Sequence, residues 1–253
     1  MICEVYKMRD YEKELAERTA FIRKTLADAN ADGVVFGNSG GKDSALVGIL
    51  CKQATDNVLG VMMPCHSRRN FGEDMDDGRA VAAQFGIETI TVDLTQVRTS
   101  LLDAVTPAAG EISAPAAGNI APRLRMTTLY AIAQTRNALV AGTGNRSETY
   151  MGYFTKWGDG AYDFNPIADL TVGEIYEFLR FLNAPANIIE KAPSAGLFEG
   201  QTDEQEMGVR YADIDALLLR GECDPALREK LERVHARTAH KRRMPLKYFD
   251  PQD

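Results

Sequence analysis

Ser39-Gly40-Gly41-Lys42-Asp43-Ser44 puts two glycines, a cation, a carboxylate and two hydroxyls in one short stretch. The apolar, β-branched segment Gly33-Val34-Val35-Phe36-Gly37 precedes it, and Asp43 onward shows helical apolar spacing. The glycines therefore fall where a strand turns into a helix. Backbone N–H groups converge at such a turn and the helix N-terminus adds positive potential, a combination suited to phosphate oxygens. Glycine supplies the positive φ angles and close approach the turn requires. Two common phosphate motifs are absent. A Walker loop needs GxxxxGK[ST], but only three residues separate Gly37 from Gly41 and Asp43 follows Lys42. The GxGxxG fingerprint is missing as well. A plain βα turn tightened by glycine is the competing reading.

Alternation of strand and helix patterns places this loop in a larger frame. Tyr11, Leu15, Ile22 and Leu26 mark one face of a helix over 10–29, closed by the turn formers Asn30, Asp32 and Gly33. Strand-like runs at 33–37, 57–63, 87–92 and 138–144 alternate with helical patterns at 43–54, 73–86, 94–105 and 122–137. A Pro/Ala/Gly-rich loop is expected at 107–118, and helices at 171–182, 203–220 and 225–239. The pattern predicts an α/β fold, a doubly wound, mostly parallel sheet with helical C-terminal additions, in a single domain over 1–253. Ligands of such sheets sit at the carboxyl ends of the strands, where the glycine loop lies.

Composition narrows the partners. The chain has 253 residues, 45% apolar and 26% charged, with a net charge of −7, which argues against a dedicated nucleic-acid or membrane-surface binder. No stretch approaches the roughly 18 apolar residues needed to cross a bilayer. Cys3, Cys51, Cys65 and Cys223 form no CxxC pair, as expected of a reduced, cytoplasmic protein. No triad-like pattern surrounds Cys65, which reads as a structural thiol.

The order S-G-G-K-D-S resembles the S-G-G-x-D-S loop of the ATP pyrophosphatases, a Rossmann-like, adenine nucleotide alpha hydrolase-like group. In that group the loop holds the β- and γ-phosphates and leaves the α-phosphate open to attack. GTGNRSETYMGYFTKWGDGAYDFNPIADL (142–170), KAPSAGLFEGQTDEQEMGVRYADIDALL (191–218) and HKRRMP (240–245) resemble, in order and rough spacing, the blocks of ammonia-dependent NAD synthetases. The resemblance covers essentially the whole chain. It implies that the nicotinate carboxylate of deamido-NAD attacks ATP to give an adenylate and pyrophosphate, after which ammonia displaces AMP.

Roles follow from the resemblance position by position. Gly37, Asn38, Ser39, Gly40, Gly41, Lys42, Asp43 and Ser44, with Thr143 and Ser194, are expected to bind ATP. Asp43 and Glu148 would hold Mg²⁺. Arg123, Lys156, Asp163, His240 and Lys241 would contact deamido-NAD, and Asp159 and Asp163 would hold ammonia or take its proton. Segments 64–72 and 200–204 are expected to order over substrate. Val172 and Gly196 stand where the family often has lysine and aspartate, so either Lys42, Arg146 or another cation serves the phosphates or ATP binds more weakly, and any role of the aspartate is left unfilled. The chain length leaves no room for a fused glutaminase, so free ammonia, or ammonia from a separate glutaminase, is the expected donor. A homodimer is also implied, and the 10–29 stripe is one candidate interface. Rival readings are another amidating or thiolating ATP pyrophosphatase, or a nucleotide-binding regulator without turnover.

Overall fold

A computed structural model describes residues 8–65, 71–190 and 203–248. Four strands form one wholly parallel sheet: β1 (Gly33–Gly37), β2 (Val58–Met62), β3 (Glu88–Thr91) and β4 (Ala138–Ala141). Their spatial order is β3-β2-β1-β4. Val35 pairs with Leu59 on one side and Val140 on the other, so β1 is central. The chain moves outward from β1 to β3 and then crosses back to β4. This reversal is a topological switch point, and it opens a crevice beyond the ends of β1 and β4.

Alternation along β1 feeds two cores. Val34 and Phe36 face a core shared with α1 (Tyr11–Ala29), α2 (Lys42–Ala54) and α8 (Val172–Phe181). Val35 faces the opposite core, which includes Ala133 of α6 (Ile120–Thr135). Helices thus cover both faces, as the two-sided apolar strands require. The Phe36 ring occupies the space left open by Gly48 and Gly60. A Cβ at Gly48 would lie 2.6 Å from the ring's Cζ.

The 10–29 stripe is an internal surface. Ile22 and Leu26 are buried, and Asp10 caps the helix through the Lys13 N–H at 3.2 Å. Arg18 ties α1 to the 166–169 turn with a bidentate pair to Asp169 at 2.7 and 2.8 Å.

Two sequence expectations need correction. The 107–118 segment is largely helical: α4 (Thr95–Ala109) runs through Pro107, and α5 (Ala114–Gly118) follows. Pro107 has no N–H to give the Asp103 carbonyl, yet the helix continues through it to Ala109. The 203–220 segment is two helices, α10 (Asp203–Met207) and α11 (Tyr211–Arg220), parted at Gly208 with φ +62. The intervening elements are α3 (Glu73–Phe85), α7 (Arg146–Met151), α9 (Ala186–Glu190) and α12 (Pro225–Arg237).

Gly48→Ala should lower stability by about 1–3 kcal/mol, the usual cost of overpacking a filled core. Urea unfolding checks this, and an unchanged midpoint would mean that the Phe36 ring shifts freely.

Candidate active site

The glycine loop is held open by its own side chains. Asn38 extends the ladder, its N–H reaching Val61 O at 2.9 Å, while its side-chain amide donates to Gly78 O at 3.0 Å. Gly40 has φ +70, and a Cβ there would sit 2.0 Å from Asp74 O. Only glycine fits that position. Ser39 and Ser44 join their hydroxyls at 3.0 Å. No side chain caps α2 at Gly41, so its first-turn N–H groups keep their capacity for an anion.

A second loop rises from the neighbouring strand. Asn145 caps α7 by accepting from the Glu148 N–H at 2.9 Å, while Glu148 accepts from the Asn145 N–H at 3.2 Å. The same Asn145 donates its side-chain amide to Asp43 Oδ1 at 3.1 Å. One fully buried asparagine therefore braces both carboxylates expected to hold metal. Lys42, also buried, pairs with Asp43 Oδ2 at 2.7 Å. Burial pulls the Lys42 ammonium down, but Asp43 and Glu148 outweigh it and hold it above the lysine range. Burial, reinforced by Asp43, pushes the Glu148 carboxyl well above its ordinary range.

Lys42, Asp43 and Glu148 line a cavity of about 550 Å³ with Gly37, Asn38, Ser39, Ser44 and Thr143, and Asn145 braces the two carboxylates from behind. Asp203 and Glu206 of α10 extend its acidic side. Tyr153 donates to Glu206 at 2.6 Å and to Asp203 at 3.3 Å, and Tyr211 donates to Asp203 at 3.2 Å. Pro122, Arg125, Met126 and Leu129 form the α6 wall. A second cavity of about 290 Å³ shares Glu148, Phe154, Asp159 and Lys241 with the first, and includes Lys156 and Trp157.

Asp159 stands in the partition, accepting from the Thr155 N–H at 2.9 Å. Although the residue keeps an exposed edge, protein packed around the carboxyl pushes it upward against the pull of Thr155, Lys241 and Arg125. Lys241 donates to Gly152 O and Phe154 O, both at 2.8 Å. Lys156 donates to His240 O at 2.6 Å and Arg243 O at 3.0 Å. The two lysines clasp the 152–156 and 240–243 segments together.

Three expected positions lie elsewhere. Asp163, Arg123 and His240 are exposed and line neither cavity. Asp163 accepts from the Val140 N–H at 2.7 Å and the Tyr130 hydroxyl at 3.2 Å, securing the edge of β4. Arg123 donates to Lys156 O at 3.3 Å, and His240 offers its carbonyl to Lys156. Ser194, Gly196 and positions 66–70 and 200–202 lie outside the described residues. Val172 is buried among Met151, Tyr211, Ile214 and Leu231, and Arg146 donates to Leu218 O at 3.3 Å. Neither position supplies a cation to the cavity. Cys65 is buried with its thiol 3.8 Å from Leu94 O, and burial raises its pKa.

Arg125, Asn145, Asp203 and Glu206 were missed as site residues. Positions 122, 125, 126 and 129 follow the i, i+3, i+4, i+7 rule, so helical spacing alone would have set Arg125 on the cavity face. The N-x-x-E order at Asn145–Glu148 is likewise a readable cap signal. Nothing in the sequence alone brings Asp203 to this wall.

The family described as NAD synthase matches residues 14–245. The chain belongs to that family. It is 46% identical over 238 residues to the NH(3)-dependent NAD(+) synthetase of Carboxydothermus hydrogenoformans, covering 93% of this chain and 97% of the relative. The NMN synthetase structure from Francisella tularensis superposes with a TM-score of 0.88 at 34% identity, covering 94% of this chain and 98% of that one. The NH3-dependent NAD synthetase of Campylobacter jejuni, solved with a nitrate ion, gives 0.75 at 33% identity, with coverages of 95% and 100%.

Asn145→Ala should lower stability by about 1–2 kcal/mol through loss of the α7 cap and reduce turnover, since Asp43 also loses its brace. Asn145→Asp keeps the capping oxygen but sets a third carboxylate against Asp43 and Glu148. It should therefore lose turnover out of proportion to stability. Urea unfolding and turnover measured together separate the two roles, and equal activity in all three proteins would remove Asn145 from the site.

Proposed function

We infer that this chain is an ATP-dependent ligase that amidates deamido-NAD to NAD with ammonia. The carrying observation is that Asp43, after the β1 glycine loop, and Glu148, after β4, line one cavity in a chain of the NAD synthase family. A carboxylate expels no good leaving group when ammonia attacks it. Adenylation cures this: the nicotinate oxygen bonds the α-phosphorus and the bond to pyrophosphate breaks. The ammonia nitrogen then bonds the acyl carbon, AMP departs with the C–O electron pair, and nitrogen loses its extra proton.

We assign Gly37 through Ser44 to the ATP phosphates, with N–H groups of the α2 N-terminus as donors, and Thr143 to the adenosine side. Asp43 and Glu148 fit a magnesium ion. Both offer hard oxygen donors, and burial beside each other's charge disfavours ionisation of Glu148, a cost a divalent cation relieves. Magnesium commonly takes one or two carboxylates and completes its shell with phosphates and water. This suits a site where, among the described residues, no cluster of three His, Cys, Asp or Glu groups is found. When bound, the ion neutralises charge on the phosphates.

Asp159 is our assignment for holding ammonia and receiving its proton, because it stands between the cavities and its raised pKa favours proton acceptance. Asp163 is replaced in that role, being engaged at the β4 edge. Arg125 takes over from Arg123 as the α6 cation facing substrate, with Lys156 and Lys241 shaping the second cavity for the dinucleotide. We place the protein in the cytoplasm as one domain. Among the described residues no helix is long and apolar enough to cross a membrane.

We also propose a homodimer, through α4 rather than the 10–29 helix. Helix α4 has no buried residue, and Val97, Leu101 and Val105 stand exposed at i, i+4 and i+8. Leu101→Glu should halve the mass measured by light scattering, and an unchanged dimer mass would move the interface elsewhere.

Deamido-NAD, ATP, Mg²⁺ and ammonium chloride should yield NAD, AMP and pyrophosphate in equal amounts, with little product when glutamine replaces ammonium. Nicotinate mononucleotide belongs in a parallel reaction, because the likeness to the Francisella tularensis NMN synthetase favours a mononucleotide acid as a second reading. Faster turnover of the mononucleotide would install that reading. Absence of AMP with either acid would leave a nucleotide-binding protein without turnover. Asp43→Asn should abolish AMP formation while far-UV circular dichroism stays unchanged.

A further inference from the structure

Lys42, Arg125 and Lys241 are the cations among the described residues lining the large cavity. Arg125 donates to Met63 O at 3.1 Å and Lys241 to two carbonyls of the 152–154 turn. These contacts are to neutral backbone oxygens. Lys42 differs: its ammonium donates to the Asp43 carboxylate at 2.7 Å, the oxygen donor assigned above to magnesium. Its ammonium also lies 5.7 Å from the Tyr211 ring centroid, and the residue itself opens α2. A divalent cation and an ammonium cannot both hold Asp43 at full strength, since like charges brought onto one carboxylate repel. Phosphate oxygens laid on the glycine loop would offer the displaced ammonium replacement acceptors.

We propose that Lys42 is an exchange counter-ion: it competes with the divalent cation for Asp43 and, once displaced, pairs with the phosphate chain of ATP. The inference rests on the metal assignment above and adds to it a residue whose charge sets how strongly metal and nucleotide depend on each other. Metal alone must evict Lys42 from Asp43. Metal arriving with phosphate offers the ammonium a new partner, so the two ligands favour each other's binding, and by linkage the preference is mutual.

The probes are Mn²⁺, read by the free-ion electron paramagnetic resonance signal, and inorganic pyrophosphate, read by calorimetry. Removing a competing charge-assisted pair should tighten Mn²⁺ binding by Lys42→Gln about tenfold in the absence of pyrophosphate. Pyrophosphate should then strengthen Mn²⁺ binding in the native protein and in Lys42→Arg, and do so far less in Lys42→Gln. Mn²⁺ affinity of Lys42→Gln equal to or below native overturns the exchange. Equal enhancement by pyrophosphate in all three overturns the phosphate half. Asp43→Asn serves as the control: if it binds Mn²⁺ as the native protein does, the metal assignment itself has failed rather than the role of Lys42. Thermal melting confirms that each variant is folded, and Lys42→Arg, which keeps the charge, retains a test should Lys42→Gln unfold.

Discussion

Everything in this site depends on bringing two like charges to one place and keeping them there. Asp43 and Glu148 lie on different loops, and burial beside Asp43 pushes the Glu148 carboxyl upward. Such a pair repels unless something neutral or cationic intervenes. Here two groups do: Asn145, which donates to Asp43 and accepts from the Glu148 backbone, and Lys42, which pairs with Asp43. The sheet order supplies the proximity. Because β4 is inserted beside β1 rather than beyond β3, the two carboxylate-bearing loops leave the sheet side by side.

Around this pair the fold works as a set of braces. Asp215 of α11 accepts from Ser147 at 2.6 Å and from the Gly173 N–H at 2.8 Å, binding α7, α8 and α11 together behind Glu148. Asp215 is itself buried, and burial raises its pKa, so both hydrogen bonds are needed to keep it in place. Arg9 and Arg18 do comparable work at the far end, joining the N-terminal segment to Asp169 and Glu174. The site therefore rests on helices that are locked by charge as well as by apolar packing.

The sheet and its glycine turn were legible because they follow local rules: β-branched runs, glycine punctuation and a helix starting at the turn. Side-chain direction was less so. Arg123 and Arg125 are two residues apart, which on a helix places them on different faces, and matching family positions chose the outward one. Asp163 was read as chemistry because it lies in a dense polar block, yet its carboxylate substitutes for a strand partner at the β4 edge. Asp203 reaches the cavity through contacts with Tyr153 and Tyr211, long-range packing that no spacing rule reports. Val172 was the reverse case. Its departure from the family pattern was visible, and the structure shows the position given over to an apolar cluster.

The clasp between Lys156 and the 240–243 carbonyls, answered by Lys241 on the 152–154 carbonyls, has a consequence for how the protein is made. All four strands and the glycine loop precede residue 142, so the sheet can assemble while later chain is still emerging. The partition that carries Asp159 cannot be completed until the 240–243 segment arrives. During synthesis the nascent chain would then pass through a stage with a formed glycine turn and an open second chamber. Turnover would begin only when the last segment closes that wall.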